Sequence, residues 1–443
     1  MSSRAARSHD GRLACVAEMP SHPHTTGAAL WSPQAQMAAV LDDRLTIVAG
    51  DGALIETAEG QTLIDATAGL WHANIGHGRA ELADAAAAQM RRLETYHTFG
   101  RIANDQALAL ADRVAALSPI EDARVFWVSG GSDAIDTAAK LARRYWQIRG
   151  EANKRIIISR QQAYHGLHGF GTSILGLDIM REGYGSESLI PETARVPAND
   201  ADALEAEIRH LGPDRVAAVF AEPIIGTGGV ILPAPGYLER VEQICREHDV
   251  LLVLDEVITG FGRTGAMFAT QLYDLHPDMV IMAKGITSGY APLGGVLIAP
   301  RVWEPFYAET PDAPVFRHGV TYSGHATACA VAQANLDVIE REELVGRVAY
   351  LAPELVRATD QLAKHPLVTE VRGGVGLIAG IQLAPEVDGD KLMRDCIEAG
   401  VLVRILGGNV VQISPPFVIE EGELWRIAGA IAVALDHPNL LSR

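Results

Sequence analysis

The feature that most constrains this chain is a series of short, apolar, β-branched runs separated by helix-length amphipathic stretches. Five runs have this character: ARVFWV at 123–128, KRIIIS at 154–159, VAAVFAE at 216–222, DVLLVLDE at 249–256 and DMVIMAK at 278–284. Runs without polar alternation suit strands covered on both faces. Between several of them lie stretches such as SDAIDTAAKLARRYWQI (132–148) and PGYLERVEQICREHD (235–249), with the apolar spacing of helices that bury one side. Strand and helix in alternation predict an α/β fold with a mostly parallel sheet between helical layers. Ligands of such sheets gather at the carboxyl ends of the strands, so the chemistry is sought there.

Beyond this region the pattern changes. A long helix is expected from about Ala326 to Glu343 and another over 347–364, followed by short strands in VTEVRG, GLIAGIQL and GVLVRIL and a final helix. This predicts a second, smaller α/β lobe. The proline-bearing stretches at 191–197 and 305–314 read as surface connections.

With 443 residues, 48% of them hydrophobic, the chain can bury a large core. Its 37 Lys and Arg against 55 Asp and Glu give a net charge of -18, which opposes attraction to nucleic acid or anionic membranes. No apolar stretch reaches the roughly 18 residues a bilayer requires. The four cysteines, Cys15, Cys245, Cys329 and Cys396, lack metal-ligand or CxxC spacing, so no metal site is expected and a reducing cytoplasm fits. The N-terminal stretch has no apolar core of a secretory signal and is expected to be a tail.

Three features meet at the expected strand ends. VSGGSDAIDTAAK passes from strand to helix, so its first-turn amides can surround an anion, although the same residues also serve as a plain N-cap. VLLVLDEVITGFGRTG ends a buried run with Asp255 and Glu256, costly there unless a cation meets them: a metal or a protonated ring nitrogen. The G-x-G behind the acidic pair lacks the strand, glycine turn and helix order of a dinucleotide site. Lys284 ends the next strand, where a lysine on its own is ordinary surface decoration. Anion cup, buried carboxylate and strand-end lysine together match what pyridoxal 5'-phosphate needs: a Schiff-base amine, a partner for its ring nitrogen and a phosphate site.

The chain resembles the class III pyridoxal phosphate aminotransferases, of the omega-amino-acid or amine type of fold type I. The resemblance rests on GLWHANIGHG (69–78), VSGGSDAIDTAAKLARRYW (128–146), AYHG (163–166), AEPIIGTGGV (221–230), DEVITGFGRTG (255–265), AKGITSGYAPLGG (283–295) and HGVTYSGHATACA (318–330), in family order. It implies a mostly parallel seven-stranded sheet in a large domain, 76–330, and a smaller α/β domain from 28–75 and 331–443, with 1–27 as a flexible tail.

By this resemblance Lys284 bonds the cofactor and, once released, moves the proton between substrate carbon and cofactor. Asp255 pairs with the ring nitrogen. Val257 and Tyr164 take the two ring faces, with His165 bracing the Tyr164 loop. Gly131 and Ser132 bind phosphate, and Thr321 reaches the neighbouring subunit's phosphate, which implies an obligate homodimer and leaves open whether dimers pair into tetramers. Thr321 also reads as a helix N-cap. Glu222 is expected near the cofactor's phenolic side, orienting Tyr164 or a water, or else in a buried salt bridge. Trp71 falls on an aromatic wall of the substrate pocket, or is simply a core aromatic. Arg404 matches a mobile arginine that clamps a substrate carboxylate, though a solvated strand end is the plainer reading.

Three positions depart from the family pattern. Asp133 replaces a glutamate and keeps the helix start acidic. Gly100 stands where amine-type relatives donate a phenylalanine to the partner's pocket, which implies more room. Ile258 replaces the glutamine of the 4-aminobutyrate and ornithine branch and leans toward pyruvate. The expected activity is ping-pong transfer of an amino group from a primary amine or omega-amino acid to an alpha-keto acid, with pyruvate the expected acceptor. The rivals are a 2-oxoglutarate enzyme, a decarboxylating or aminomutase relative, a silent cofactor-binding protein and a dinucleotide-dependent oxidoreductase.

Overall fold

The computed structural model describes residues 27–184 and 189–441. Residues 1–26 of the expected tail, with Cys15, lie outside the described residues. An antiparallel meander comes first: β1 (Ile47–Asp51), β2 (Leu54–Thr57) and β3 (Thr62–Asp65). Then follow β4 (Arg124–Val128), β5 (Ile156–Arg160), β6 (Thr193–Val196), β7 (Val216–Ala221), β8 (Leu251–Asp255), β9 (Met279–Met282) and β10 (Gly294–Ile298). These seven form one sheet in the order β4-β10-β9-β8-β7-β5-β6, parallel except for β10, which runs against both neighbours.

All residues of β5, β7, β8 and β9 are buried, as their unbroken apolar runs require. Alternate side chains of β8 enter different cores: Leu251 and Val253 pack on one face with Ala138 and Trp146 of the helix Gly131–Ile148. Leu252 and Leu254 pack on the other with Leu238 and Ile244 of the helix Tyr237–Glu247. Each such side chain contributes about 1.5–3 kcal/mol on burial, so two-sided coverage fixes the register of the strands that carry the site.

One expected loop is a strand. Within 191–197, Thr193–Val196 is β6, an edge strand paired only with β5. Its residues are half-buried except Val196, so it needs little apolar content and gives a weak signal between two prolines. β10 also escaped the strand pattern because GGVLI opens with two glycines; an added Cβ at Gly294 would lie 2.7 Å from the Gly130 backbone.

The C-terminal part supplies β11 (Val368–Arg372), β12 (Ala379–Leu383), β13 (Val401–Leu402), β14 (Arg404–Leu406) and β15 (Val410–Ile413). β13 joins the N-terminal meander in parallel with β3, Leu402 opposite Asp65. The other four form a separate sheet, β11-β12-β15-β14. The expected helices occur at Ala326–Arg341 and Leu344–Asp360, the latter carrying Pro353 inside. No described helix is long and apolar enough to cross a membrane.

Candidate active site

Because β4, β5, β7, β8 and β9 are mutually parallel, their carboxyl ends share one edge of the sheet. From that edge Ser132, Tyr164, His165, Glu222, Asp255 and Lys284 converge on one cavity, which Gly131, Val257, Trp71 and Arg404 also line. The structure thus brings together ten of the sequence-predicted site residues. Their separation in sequence measures the sheet crossovers, not distance in space.

Lys284 follows β9 with a φ of 48°, a left-handed conformation that L side chains avoid and that recurs at functional sites. Its amine has no hydrogen bond or ion pair among the described residues, and part of its surface opens to the cavity. Enclosure by protein lowers its pKa to about 8; the Asp255 and Glu222 carboxylates oppose that shift and the Arg404 guanidinium adds to it.

The two carboxylates after β8 part company. Glu256 turns away from the cavity and accepts from the Ala269 and Thr270 amides at 2.6 and 2.8 Å and from the hydroxyls of Thr259 and Thr270 at 3.0 and 2.5 Å. Burial raises its pKa against these bonds. Asp255 lines the cavity, its Oδ2 2.9 Å from His165 Nδ1 and its Oδ1 accepting from the Val257 amide at 3.1 Å. The sequence question of what meets this acidic pair therefore has two answers: amides and hydroxyls for Glu256, a histidine for Asp255. His165 is thus aimed at Asp255, and its Nε2 is buried without a protein partner.

Glu222 forms no salt bridge within 4.0 Å among the described residues; its oxygens accept from the amides of Tyr164 and Gly226, both at 3.0 Å. The buried-ion-pair alternative is therefore replaced by a carboxylate that ties the Tyr164 loop to the loop after β7. Burial raises the Glu222 pKa and also that of Tyr164. Ser132 Oγ accepts from the Leu167 amide at 3.2 Å, fastening the same loop to the helix start. The first-turn amides of Gly131–Ile148 have no partner within the helix and face the strand end, as an anion site requires. Asp133 Oδ2 accepts from the Ser129 amide at 3.2 Å, so the acidic departure caps the turn.

Trp71 is 1% exposed and lines the cavity, with its Nε1 unpartnered, so it is both core and wall. Arg404, on β14, is half-buried beside Tyr164, and burial lowers its pKa. Its guanidinium has no hydrogen bond or ion pair among the described residues and lines the cavity.

Two predicted residues lie apart from Lys284 within the chain. Gly100 lies in a separate groove with Phe99, Phe126 and His318, with nothing within 4 Å of an added Cβ. Thr321 is exposed and is not an N-cap: that place belongs to His325, whose Nδ1 accepts from the Ala328 amide at 3.4 Å. The cap falls next to the first helical residue, four positions beyond the threonine. Sequence reasoning missed Gln34, Ile135, Met180 and Thr227, which also line the cavity; no spacing rule marks such residues, which arrive from unrelated elements.

The family described as "Aminotransferase class-III" matches residues 37–435. The chain belongs to this family. The aminotransferase is 36% identical over 419 residues to the putrescine–pyruvate aminotransferase of Pseudomonas aeruginosa, covering 88% of this chain and 90% of the relative. It is 34% identical over 415 residues to the diaminobutyrate–2-oxoglutarate transaminase of Halomonas elongata, covering 86% and 88%. Among solved structures, an amine transaminase from an uncultivated Pseudomonas species, described as PLP-bound, superposes with a TM-score of 0.87 at 35% identity, covering 92% of this chain and 98% of that one. The fold is that of the fold type I transaminases, and the enzyme is pyridoxal phosphate-dependent. The residues present fit that group: an unpaired enclosed amine, a histidine-braced carboxylate and a free helix N-terminus face one cavity.

Proposed function

We propose that this aminotransferase takes an amino group from a primary amine or omega-amino acid and passes it to pyruvate, the two substrates alternating in the cavity beside Lys284. The observation that carries this reading is Arg404: among the described lining residues it is the one guanidinium, and it is unpaired. One carboxylate can take its fork of donors. A second carboxylate, as in 2-oxoglutarate, would find no second guanidinium among the described lining residues.

Bound pyridoxal phosphate supplies an electron sink that makes the substrate's carbon–hydrogen bond acidic. Lys284 holds it and, when free and neutral, takes and returns the proton at the substrate carbon; an amine with a pKa of about 8 is partly neutral near pH 7. Asp255 keeps a proton at the ring nitrogen, with His165 fixing the carboxylate. Gly131 and Ser132 receive the phosphate, and Val257 and Tyr164 bound the ring. Thr321 and Gly100, exposed and apart from Lys284, serve a neighbouring subunit's site in a homodimer. The three described cysteines are free and buried, which suits the cytoplasm.

Half-reaction spectra test the acceptor. Alanine should discharge the cofactor's yellow absorbance and glutamate should not; the reverse result refutes pyruvate use. Arg404→Leu should lower kcat/KM for pyruvate by about 10- to 100-fold, the loss of a charged hydrogen-bonded pair, and leave that for an uncharged amine within about twofold.

A further inference from the structure

The wall of the cavity that carries Trp71 is held in an unfavourable backbone. Ala68, Gly69 and Trp71 have φ values of 48°, 62° and 66°, so two residues with side chains sit in the left-handed region within four positions. A local feature has to hold this turn, and the hydrogen bonds converge on one carboxylate. Four polar groups meet Asp65, at the end of β3 and 1% exposed. Its Oδ1 receives the Thr67 amide at 3.0 Å and lies 2.9 Å from the Thr67 hydroxyl, which is shared with the Gly69 carbonyl at 2.8 Å. Its Oδ2 receives the Gly69 amide at 2.7 Å and lies 2.9 Å from His77 Nε2.

The turn is closed from its far side as well. The Trp71 amide donates to the Thr67 carbonyl at 3.1 Å, and the Leu70 amide donates to His72 Nδ1 at 3.2 Å. The backbone of Asp65 also stands opposite Leu402 across β3 and β13, two residues before Arg404. Burial alone would push its carboxyl up, but the bonds from His77 and Thr67 win and hold it below the usual range, so it stays ionised and open to all four groups.

We propose that Asp65 is a positioning residue for substrate choice: its carboxylate, closed by His77, pins the Thr67–Trp71 turn and so sets how far Trp71 encroaches on the amine. The proposal rests on the reading of Trp71 as a substrate wall. It predicts that loosening Asp65 enlarges the pocket without removing any group that touches substrate or cofactor.

Asp65→Asn is nearly isosteric but offers one acceptor oxygen in place of two, which leaves either the Thr67 or the Gly69 amide against an NH2 group. The holoenzyme is assayed with pyruvate and either isopropylamine or α-methylbenzylamine. The ratio of kcat/KM values should rise toward the aryl amine by about tenfold, through KM, and the rise should vanish in a Trp71→Leu background. A ratio that Asp65→Asn leaves alone, or raises equally in both backgrounds, overturns the proposal. If Trp71→Leu by itself leaves the ratio unchanged, the wall reading falls and the proposal with it, a failure distinct from the first. His77→Leu, which removes one of the four groups, should raise the ratio in the same direction; this variant decides the matter if Asp65→Asn does not fold, and an unchanged ratio overturns the proposal.

Discussion

The enclosed amine of Lys284 should make the cofactor-free enzyme unstable in a way that titrates. Its pKa falls from the usual 10.5 to about 8, with burial as the leading cause. At about 1.4 kcal/mol per pH unit this corresponds to a cost of at most about 3 kcal/mol for holding the charged amine, an upper bound because the side chain opens to the cavity. Below pH 8 the lysine is protonated both folded and unfolded, so the full cost is present. Between about pH 8 and 10.5 the unfolded chain holds the proton more tightly, so native stability rises with pH and the cost fades. Lys284→Met keeps the stem and removes the charge. The cofactor-free variant should therefore be more stable than wild type at pH 7 by up to about 3 kcal/mol, with the difference shrinking toward zero near pH 10. Urea unfolding of both proteins at several pH values measures this, because titrations common to both cancel. A difference that is flat with pH, or a variant less stable at pH 7, refutes the account of an amine desolvated by its cavity.

The same amine should be chemically pH-dependent: the rate at which the cofactor-free enzyme bonds pyridoxal phosphate should rise about tenfold from pH 7 to pH 9 and then level off, and a flat stopped-flow profile would contradict it. Asp255→Asn should lower kcat by about 10²- to 10³-fold and shift that profile to lower pH, since the Asp255 carboxylate raises the Lys284 pKa; steady-state rates and the same stopped-flow series check both parts. Gly166→Ala should loosen cofactor retention, because Gly166 has a φ of 78° and an added Cβ would press on Ser132; equilibrium dialysis against wild type reads it, and equal retention counts against the role of the Ser132 turn.

How far the site was legible depended on the residue. Lys284 and Asp255 sit at or next to the end of a fully buried strand, and Ser132 opens the helix that follows β4, so periodicity placed them before any contact was known. The alternative reading of Thr321 as an N-cap fails, because a threonine upstream of an alanine-rich helix is a common start but His325 takes that place. β6 was misread as a loop because an edge strand needs only one partner and little apolar content. The division of labour between Asp255 and Glu256 was not readable, since two adjacent carboxylates at a strand end look alike until their hydrogen bonds are seen.

The sequence by itself determined the alternation of strands and helices, and hence the parallel sheet and the edge at which its ligands collect, because burial on two faces demands unbroken apolar runs of strand length. It also determined the types of group at that edge, since lysine, carboxylate and a helix start follow their strands directly. Only the tertiary structure decided which groups meet. Asp65 reaches the cavity wall through a turn held in left-handed backbone, and Arg404 reaches it from a different sheet. The Trp71 and Arg404 walls come from distant parts of the chain and meet only in the folded cavity, where no local periodicity carries the information.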